Sequence, residues 1–242
     1  MSMTVLGIIP ARGGLQSIPR KNLVPVLGKP LIAYTIEAAR QARRLTRMIV
    51  STEDAEIAAV SREYGAPVPF MRPAELATPT ARSLPVIQHA LREMERLDAT
   101  VYDAVVMLQP TAPLRTAADI DAAIERLESR EADSVVSVVA VGGHHPARMK
   151  RILPDGRLIN YLDHEEEDMR PRQELPPVYM RNGAIYLARR ALLLEQGRMT
   201  GPRCYAYVMP PERSVNIDAE EDFAVVEYWL RRRTEVVPYA VS

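Results

Sequence analysis

The clearest chemistry in this sequence lies near its start, in the stretch IPARGGLQSIPRKN. Arg12, Arg20 and Lys21 supply cations there, and Gly13 lets the backbone come close to a ligand. Backbone N–H groups together with guanidinium forks are good donors to phosphate oxygens. Asn22 adds a neutral donor and acceptor for a base or ribose. The stretch therefore favours a triphosphate site, and the spacing alone leaves a solvated basic surface loop open as the alternative.

Two common nucleotide-binding motifs are absent from the sequence. It contains no GxGxxG, the fingerprint of dinucleotide-binding folds, and no GxxxxGKS or GxxxxGKT, the signature of the phosphate-binding loop in many NTPases. Both of those site types are therefore excluded.

The composition is that of an ordinary globular protein, with 47% hydrophobic and 26% charged residues. Lys plus Arg and Asp plus Glu each number 31, so no overall field favours nucleic acid or an anionic membrane as a partner. The start lacks a basic leader before a long apolar stretch. Cys204 is the only cysteine, which fits a reducing compartment. We therefore expect a cytoplasmic protein in which residues 1–242 form one domain.

Short β-branched runs alternate along the chain with segments of helical apolar spacing. The runs TVLGIIP, RMIVST, DAVVMLQP and DSVVSVVAV indicate strands, and segments such as LIAYTIEAARQA and SLPVIQHALREMERL indicate helices between them. This alternation predicts an α/β fold with a mostly parallel sheet flanked by helices. Ligands of such folds bind beyond the carboxyl ends of the strands. The loops that follow the strands are therefore the candidate site.

A different pattern interrupts the alternation from Gly142 to Pro177, where the chain is rich in Pro, His, Arg and Glu. This stretch predicts an excursion from the sheet. After it, NGAIYLARRALL and CYAYVMP indicate further strands, and EEDFAVVEYWLRRR indicates a closing helix. Because a basic, Pro-rich segment has little core of its own, we expect it to gain order by pairing with a second copy of the chain.

Five separated motifs carry a resemblance to a known family: IIPARGG, PRKN, MLQPTAPLR, PRQELPPVYMRNGAIYL and SVNIDAEEDF. They occur in the same order as in the acylneuraminate cytidylyltransferases, also called CMP-sialic acid synthetases, which the chain resembles over nearly its whole length. The resemblance implies a Rossmann-like nucleotidyltransferase fold and a homodimer. It also implies a Mg²⁺-dependent transfer of CMP from CTP to a sialic-acid-like nonulosonic acid, with release of pyrophosphate.

The stretch IPARGGLQSIPRKN, called the first loop from here on, matches the family pattern at several positions. By this resemblance, Arg12 and Lys21 hold the triphosphate and act in catalysis, and Asn22 lies near the nucleotide. Gly13 is a further candidate substrate contact, because it lets the backbone come close to a ligand. Family members usually carry a lysine where this chain has Gln16, so one cation is missing. A lost charge-assisted phosphate contact typically removes about 1.5–3 kcal/mol. The uncharged Gln16 therefore leaves two questions open, which nucleotide is used and how fast the reaction runs.

Two middle segments add further implied binding residues. FMRPAELATPTARS resembles the family segment beside the nucleotide base, with Arg72 and Ser83 at matching positions, and an ordinary Pro-rich connection is the alternative. An aspartate common in that segment is Pro79 here. In MLQPTAPLR, Gln109 matches a glutamine that contacts the sugar acid. For Arg115 a rigid turn followed by a helix start is the favoured interpretation.

The resemblance assigns the sugar acid mainly to residues late in the chain. Arg148 and Arg172 match basic residues of the family's dimerisation excursion, which reach the partner subunit's sugar site. A guanidinium fork there can hold the carboxylate of a sugar acid. Asn182 and Tyr186 are implied sugar contacts, with packing in a core strand as the alternative for Tyr186.

Asp218 in SVNIDAEED matches a metal-binding aspartate of the family, so the resemblance implies that it binds Mg²⁺ and acts in catalysis. The companion carboxylate expected two residues earlier is Asn216, which offers a neutral oxygen. Mg²⁺ commonly takes one or two carboxylates plus substrate phosphates. Asp218 could instead cap the last helix, with Glu221 completing a capping box.

Two alternatives to this function stay open at the level of sequence. One is a cytidylyl- or guanylyltransferase that uses the same scaffold for another sugar acid or a phosphonate. The other is a non-catalytic nucleotide-binding homologue, which the departures at Gln16, Pro79 and Asn216 motivate. The sequence offers no convincing His or Cys nucleophile, and it does not identify the general base.

Overall fold

The computed structural model describes residues 3–14, 18–162 and 169–234. In chain order the strands are β1 (Val5–Pro10), β2 (Pro25–Val26), β3 (Lys29–Pro30), β4 (Arg47–Ser51), β5 (Ala104–Met107), β6 (Ser134–Ala140), β7 (Lys150–Ile152), β8 (Leu158–Asn160), β9 (Tyr179–Arg189) and β10 (Cys204–Val208). The helices are α1 (Leu31–Gln41), α2 (Ala55–Glu63), α3 (Ser83–Asp98), α4 (Ala117–Ser129), α5 (Arg190–Leu194) and α6 (Glu221–Thr234).

Six of these strands form one sheet in the order β10-β6-β9-β5-β1-β4. β1 is parallel to β4 and β5, and β10 is parallel to β6, whereas β9 is antiparallel to both of its neighbours. The mostly parallel sheet predicted from the sequence is therefore confirmed, with β9 as the reversed strand. The carboxyl ends of β1, β4 and β5 meet at one edge, where the following loops gather.

Different helices cover the two faces of the sheet, because side chains alternate between faces along each strand. In β1, Leu6 and Ile8 belong to a buried cluster that includes residues of α3 and α5. Val5 and Ile9 belong to a second cluster that includes residues of α1, α2 and α4. All four side chains are fully buried. This two-sided core fixes the strands from which the candidate loops emerge.

The segment before the last helix is attached to loops at the carboxyl edge of the sheet. Ile18, Ile217 and Leu230 of α6 share a third buried cluster. The backbone N–H of Ile217 also donates to the carbonyl oxygen of Thr111 at 2.7 Å. Because Thr111 lies in the loop after β5, this contact brings the neighbouring Asp218 to the edge where the parallel strands end.

The described part of residues 142–177 leaves the central sheet. Its strands β7 and β8 form an antiparallel hairpin that is a two-stranded sheet of its own. Ile152 and Leu158 of this hairpin are 75% and 63% exposed. The hairpin therefore presents apolar side chains that are exposed in the described part of the chain.

Within the described ranges, no helix is both long enough and apolar enough to cross a membrane. The cytoplasmic location and the single-domain organisation stay predictions from the sequence.

Candidate active site

A cavity of about 330 Å³ opens where the loops after β1 and β5 meet the start of α3 and the segment before α6. It brings together residues that are distant in the sequence and that the sequence analysis singled out for binding or catalysis. These residues are Arg12, Lys21, Asn22, Arg72, Ser83, Gln109 and Asp218. The cavity is therefore the candidate active site.

The first loop gives one side of the cavity its positive charge. Arg12 donates from Nη1 to the carbonyl oxygen of Thr78 at 3.0 Å, so its partner is neutral. Lys21 is buried, and its Nζ donates to the carbonyl oxygen of Ile217 at 2.8 Å. Burial lowers the pKa of Lys21, although the nearby carboxylate of Asp218 opposes the change. Asn22 fixes the loop by donating from Nδ2 to the carbonyl oxygen of Arg12 at 3.0 Å.

Residues that follow β4 hold the first loop in place through hydrogen bonds and ion pairs. The backbone N–H of Gly13 donates to Oε1 of Glu53 at 2.7 Å. A Cβ atom at Gly13 would lie only 2.1 Å from Oδ2 of Asp54, so the close approach requires glycine. Arg20 donates to the carboxylates of Asp54 and Glu56 at 3.2 and 2.6 Å. The Arg20 charge is therefore largely neutralised by these two carboxylates.

Arg72 lies on the wall of the cavity with its side chain almost fully buried. Its Nη2 donates to Oε2 of Glu53 at 2.5 Å and to the carbonyl oxygen of Ala11 at 3.2 Å. Nε of Arg72 is buried and has no hydrogen-bond partner among the described residues. Glu53 thus links Arg72 to the first loop. Glu53 was not predicted from the sequence, because an acidic residue after a strand carries no distinctive pattern.

The floor of the cavity is built from two side-chain amides over the backbone of β9. Gly183 has φ +75°, and a Cβ there would lie 2.9 Å from Oε1 of Gln109 and 3.0 Å from Oδ1 of Asn216. Glycine is therefore needed both for this backbone conformation and for the space above it. In the sequence Gly183 is the glycine of RNGAIY, a motif that was identified without a role for this glycine.

Arg115 supports this floor from beneath and does not line the cavity. It is 2% exposed and donates to the carbonyl oxygen of Ala184 at 2.8 Å, to Oγ1 of Thr35 at 2.8 Å, and to the carbonyl oxygen of Gln109. The next helix, α4, begins two residues later. The structural interpretation of Arg115 is therefore confirmed.

Asp218 faces the cavity beside Asn216. Nδ2 of Asn216 donates to Oδ2 of Asp218 at 2.7 Å, and the buried Oδ1 of Asn216 has no hydrogen-bond partner among the described residues. The capping contact before α6 comes from Asp222, whose Oδ2 accepts the backbone N–H groups of Asp218 and Ala219 at 2.8 Å. Asp222 thus makes the contact that the sequence analysis assigned to Glu221 as an alternative.

Asn182 is buried away from the cavity. Its Oδ1 accepts from Oγ of Ser137 at 2.6 Å and from the backbone N–H of Ala184 at 3.2 Å. Its Nδ2 donates to Oγ of Ser214 at 2.9 Å and to the sulfur of Met209 at 3.3 Å. These contacts fill the hydrogen-bonding positions of the amide. The implied sugar contact of Asn182 therefore has no support in this arrangement.

Of the remaining predicted residues, some do not line the cavity and others are not among the residues that the structure describes. Tyr186 is partly buried and packs against the cluster on the α3 face, which favours its core-packing alternative. Arg148 is exposed in a short 3₁₀ turn before β7. The side chain of Arg172 and the whole of Gln16 lie outside the described residues.

Comparison with known proteins places this geometry in a family. A family model described as cytidylyltransferase matches residues 6–206. The chain belongs to the cytidylyltransferase family. The matched range includes the loops after β1, β4 and β5, which supply most of the cavity.

Two curated relatives of this cytidylyltransferase come from bacteria. The CMP-N,N'-diacetyllegionaminic acid synthase of Legionella pneumophila is 32% identical over 236 residues, covering 97% of this chain and 100% of the relative. The N-acylneuraminate cytidylyltransferase of Escherichia coli is 34% identical over 226 residues, covering 92% of this chain. The match covers 51% of the Escherichia coli protein, about half of its length.

A solved structure has the same fold. CMP:2-keto-3-deoxy-manno-octonic acid synthetase, solved as a complex with CTP, superposes with a TM-score of 0.70 over 95% of this chain and 99% of that protein. The two sequences are 17% identical, so this likeness concerns the fold. It confirms the Rossmann-like nucleotidyltransferase architecture of this cytidylyltransferase.

Proposed function

We propose that this protein transfers CMP from CTP to a sialic-acid-like nonulosonic acid and releases pyrophosphate. The observation that carries the proposal is the composition of the cavity. Arg12 and Lys21 line one side, Arg72 another, and the carboxylate of Asp218 lies beside an amide floor. Such a cavity offers separate surfaces for a triphosphate, a base and a polar sugar. The two bacterial relatives are named for acids of this class.

In the proposed reaction, the anomeric hydroxyl of the sugar acid attacks the α-phosphorus of CTP. Arg12 keeps its positive charge facing the cavity, because it donates to a carbonyl rather than to a carboxylate. Its guanidinium and the Lys21 ammonium stabilise the negative charge that develops on the pyrophosphate leaving group. Positioning and electrostatics thus supply most of the catalysis, and no covalent nucleophile is required.

The donor set at Asp218 fits a Mg²⁺ ion that binds together with the substrate. Rotation of the Asn216 amide would place its partnerless buried Oδ1 next to Oδ2 of Asp218, giving two hard oxygen donors side by side. Among the described residues no group of three or more His, Cys, Asp or Glu side chains forms a metal site. Phosphate oxygens would therefore complete the coordination. When bound, Mg²⁺ supplies additional neutralisation of phosphate charge.

The sugar acid is proposed to lie over Gln109, in a binding site that a second subunit completes. The hairpin of β7 and β8 and the first residues of β9 expose Ile152, Leu158, Tyr179 and Met180. Ile152 and Leu158 pair across the hairpin, and exposed apolar side chains that lie together commonly mark a protein interface. A homodimer would cover them and would bring the basic residues of the excursion, Arg148 or Arg172, to the neighbouring cavity.

A nucleotide and acceptor panel tests this proposal. The purified protein is incubated with Mg²⁺, each of the four ribonucleoside triphosphates and a set of nonulosonic and shorter 3-deoxy-keto acids, and pyrophosphate release is measured. We expect release with CTP and one or more nonulosonic acids. Turnover confined to the shorter acids, or to GTP, would select the alternative transferase activities instead.

A further inference from the structure

Glu53 occupies a bridging position under the candidate site. It follows β4 by two residues, and its side chain is 20% exposed. One carboxylate oxygen accepts the backbone N–H of Gly13 at 2.7 Å, and the other accepts Nη2 of Arg72 at 2.5 Å. A single carboxylate therefore holds both the glycine of the first loop and the arginine on the cavity wall.

Arg72 is held from several directions. Its backbone N–H donates to the carbonyl oxygen of Thr52 at 2.8 Å. Its Nη2 contacts both Glu53 and the carbonyl oxygen of Ala11, and its side chain is 3% exposed. The buried Nε has no partner among the described residues. The guanidinium is thus fixed in orientation on the wall of the cavity that it lines.

Arg12 and Arg72 both line the cavity, but their hydrogen-bond partners suit them to different parts of a ligand. The charge of Arg72 is balanced by Glu53, whereas Arg12 is paired with a carbonyl oxygen. A triphosphate is recognised mainly by net positive charge, which Arg12 and Lys21 retain. A neutral base is recognised by hydrogen-bond donors held at fixed positions, which the paired Arg72 provides.

We propose that Glu53 is a positioning residue that fixes Arg72 for recognition of the cytosine ring. This inference rests on the proposed use of CTP. Cytosine presents two adjacent acceptors, O2 and N3, whereas uracil presents an acceptor at O2 and a donor at N3. A guanidinium held rigidly against that edge favours cytosine, and one free to rotate discriminates less. The contact with Gly13 would couple base recognition to the position of the first loop.

The test compares affinities for CTP and UTP, measured by calorimetry without a sugar acid. Glu53→Gln keeps an acceptor for Gly13 but removes the charge that holds Arg72. Glu56→Gln is the matched control, because Glu56 is exposed and pairs with Arg20 instead. The ratio of the two affinities cancels the general effect of removing a negative charge near a triphosphate. We expect Glu53→Gln to lower the CTP preference at least about fivefold and Glu56→Gln to leave it unchanged.

The outcomes separate this inference from the proposed function. A wild-type protein without preference for CTP over UTP would refute the use of CTP, and the role of Glu53 with it. A wild-type preference that Glu53→Gln retains would overturn only the role of Glu53. If Glu53→Gln does not fold, Glu53→Asp serves instead, because the shorter carboxylate cannot reach Gly13 and Arg72 together. The same loss of preference is then expected, and an unchanged ratio overturns the inference.

Discussion

At the scale of single residues, the arginines around the candidate site differ in the partners that hold them. Arg12 contacts a carbonyl oxygen, Arg20 contacts two carboxylates, and Arg115 is buried among backbone and hydroxyl acceptors. Only the first of these arrangements leaves a positive charge directed at the cavity. Phosphate binding is therefore expected of Arg12, and structural roles are expected of Arg20 and Arg115.

The first prediction concerns this charge at the cavity. Arg12→Ala should lower turnover at least about tenfold, because it removes a charge-assisted phosphate contact. Its melting temperature should stay within about 2 °C of the wild type, since the Arg12 side chain makes one exposed hydrogen bond within the part of the chain that the structure describes. Steady-state kinetics and calorimetric melting provide the measurements. Arg44→Ala is the control, because Arg44 pairs with Glu128 at the opposite edge of the sheet.

A second prediction concerns Asn216, the neutral neighbour of Asp218. Asn216→Asp places two carboxylates side by side, so the variant should bind Mn²⁺ at least about tenfold more tightly than the wild type when no nucleotide is present. Calorimetric titration measures this directly. Asn160→Asp, on the hairpin, controls for the added charge. Equal Mn²⁺ affinity in the wild type and Asn216→Asp would show that these two side chains do not share a cation.

At the scale of elements, the start of α4 is held by one buried carboxylate. Thr116 and Asp119 form a capping box, and Asp119 also accepts from Arg213 and Tyr207 at 2.9 to 3.0 Å. Burial tends to raise the pKa of Asp119, but the hydrogen bonds from Arg213 and Thr116 prevail, so its pKa lies below the ordinary value. The carboxylate thereby ties α4 to β10 and to the turn that follows it.

The third prediction follows from this contact. Asp119→Asn should lower the free energy of unfolding by about 2 kcal/mol at neutral pH, because the buried amide cannot replace the charge-assisted hydrogen bonds that the carboxylate accepts. A depressed folded-state pKa means that the stabilisation is present above the unfolded-state pKa and is lost as the pH falls through the folded-state pKa. The difference between the variant and the wild type should therefore shrink below about pH 4. Urea unfolding at several pH values, with Glu125→Gln as the exposed control on the same helix, checks both statements.

The elements themselves were largely predictable, because period-2 and helical spacings reflect which faces are buried. The runs around Ile8, Val106 and Val135 each became strands of the central sheet. The reversed direction of β9 was not predictable, since NGAIYL has the same apolar pattern in either direction. Contacts between loops that are distant in the sequence could not be predicted either. Glu53 contacts Gly13 across 40 positions, and no local pattern indicates such a pair.

At the scale of the whole molecule, the proposed homodimer makes each active site composite. Mixing Arg12→Ala subunits with Arg172→Ala subunits should recover activity, because one of the two cavities in a mixed dimer would contain only intact residues. Mixing Arg12→Ala with Lys21→Ala is the matched control. Both of those residues come from the first loop of the same subunit, so every mixed cavity keeps one defect. A monomer by light scattering, or no recovery despite demonstrated subunit exchange, would rule the arrangement out.

The measurement that tests the central claim most directly is identification of the product. The wild-type protein is incubated with CTP, Mg²⁺ and each acid of the panel in turn, and each mixture is followed by phosphorus NMR. With at least one nonulosonic acid we predict a new CMP phosphodiester to the sugar acid, formed in equal amount with pyrophosphate, and its loss in Arg12→Ala. Binding of CTP without any such ester, with every acid in the panel, would contradict the account and identify the protein as a non-catalytic nucleotide-binding homologue.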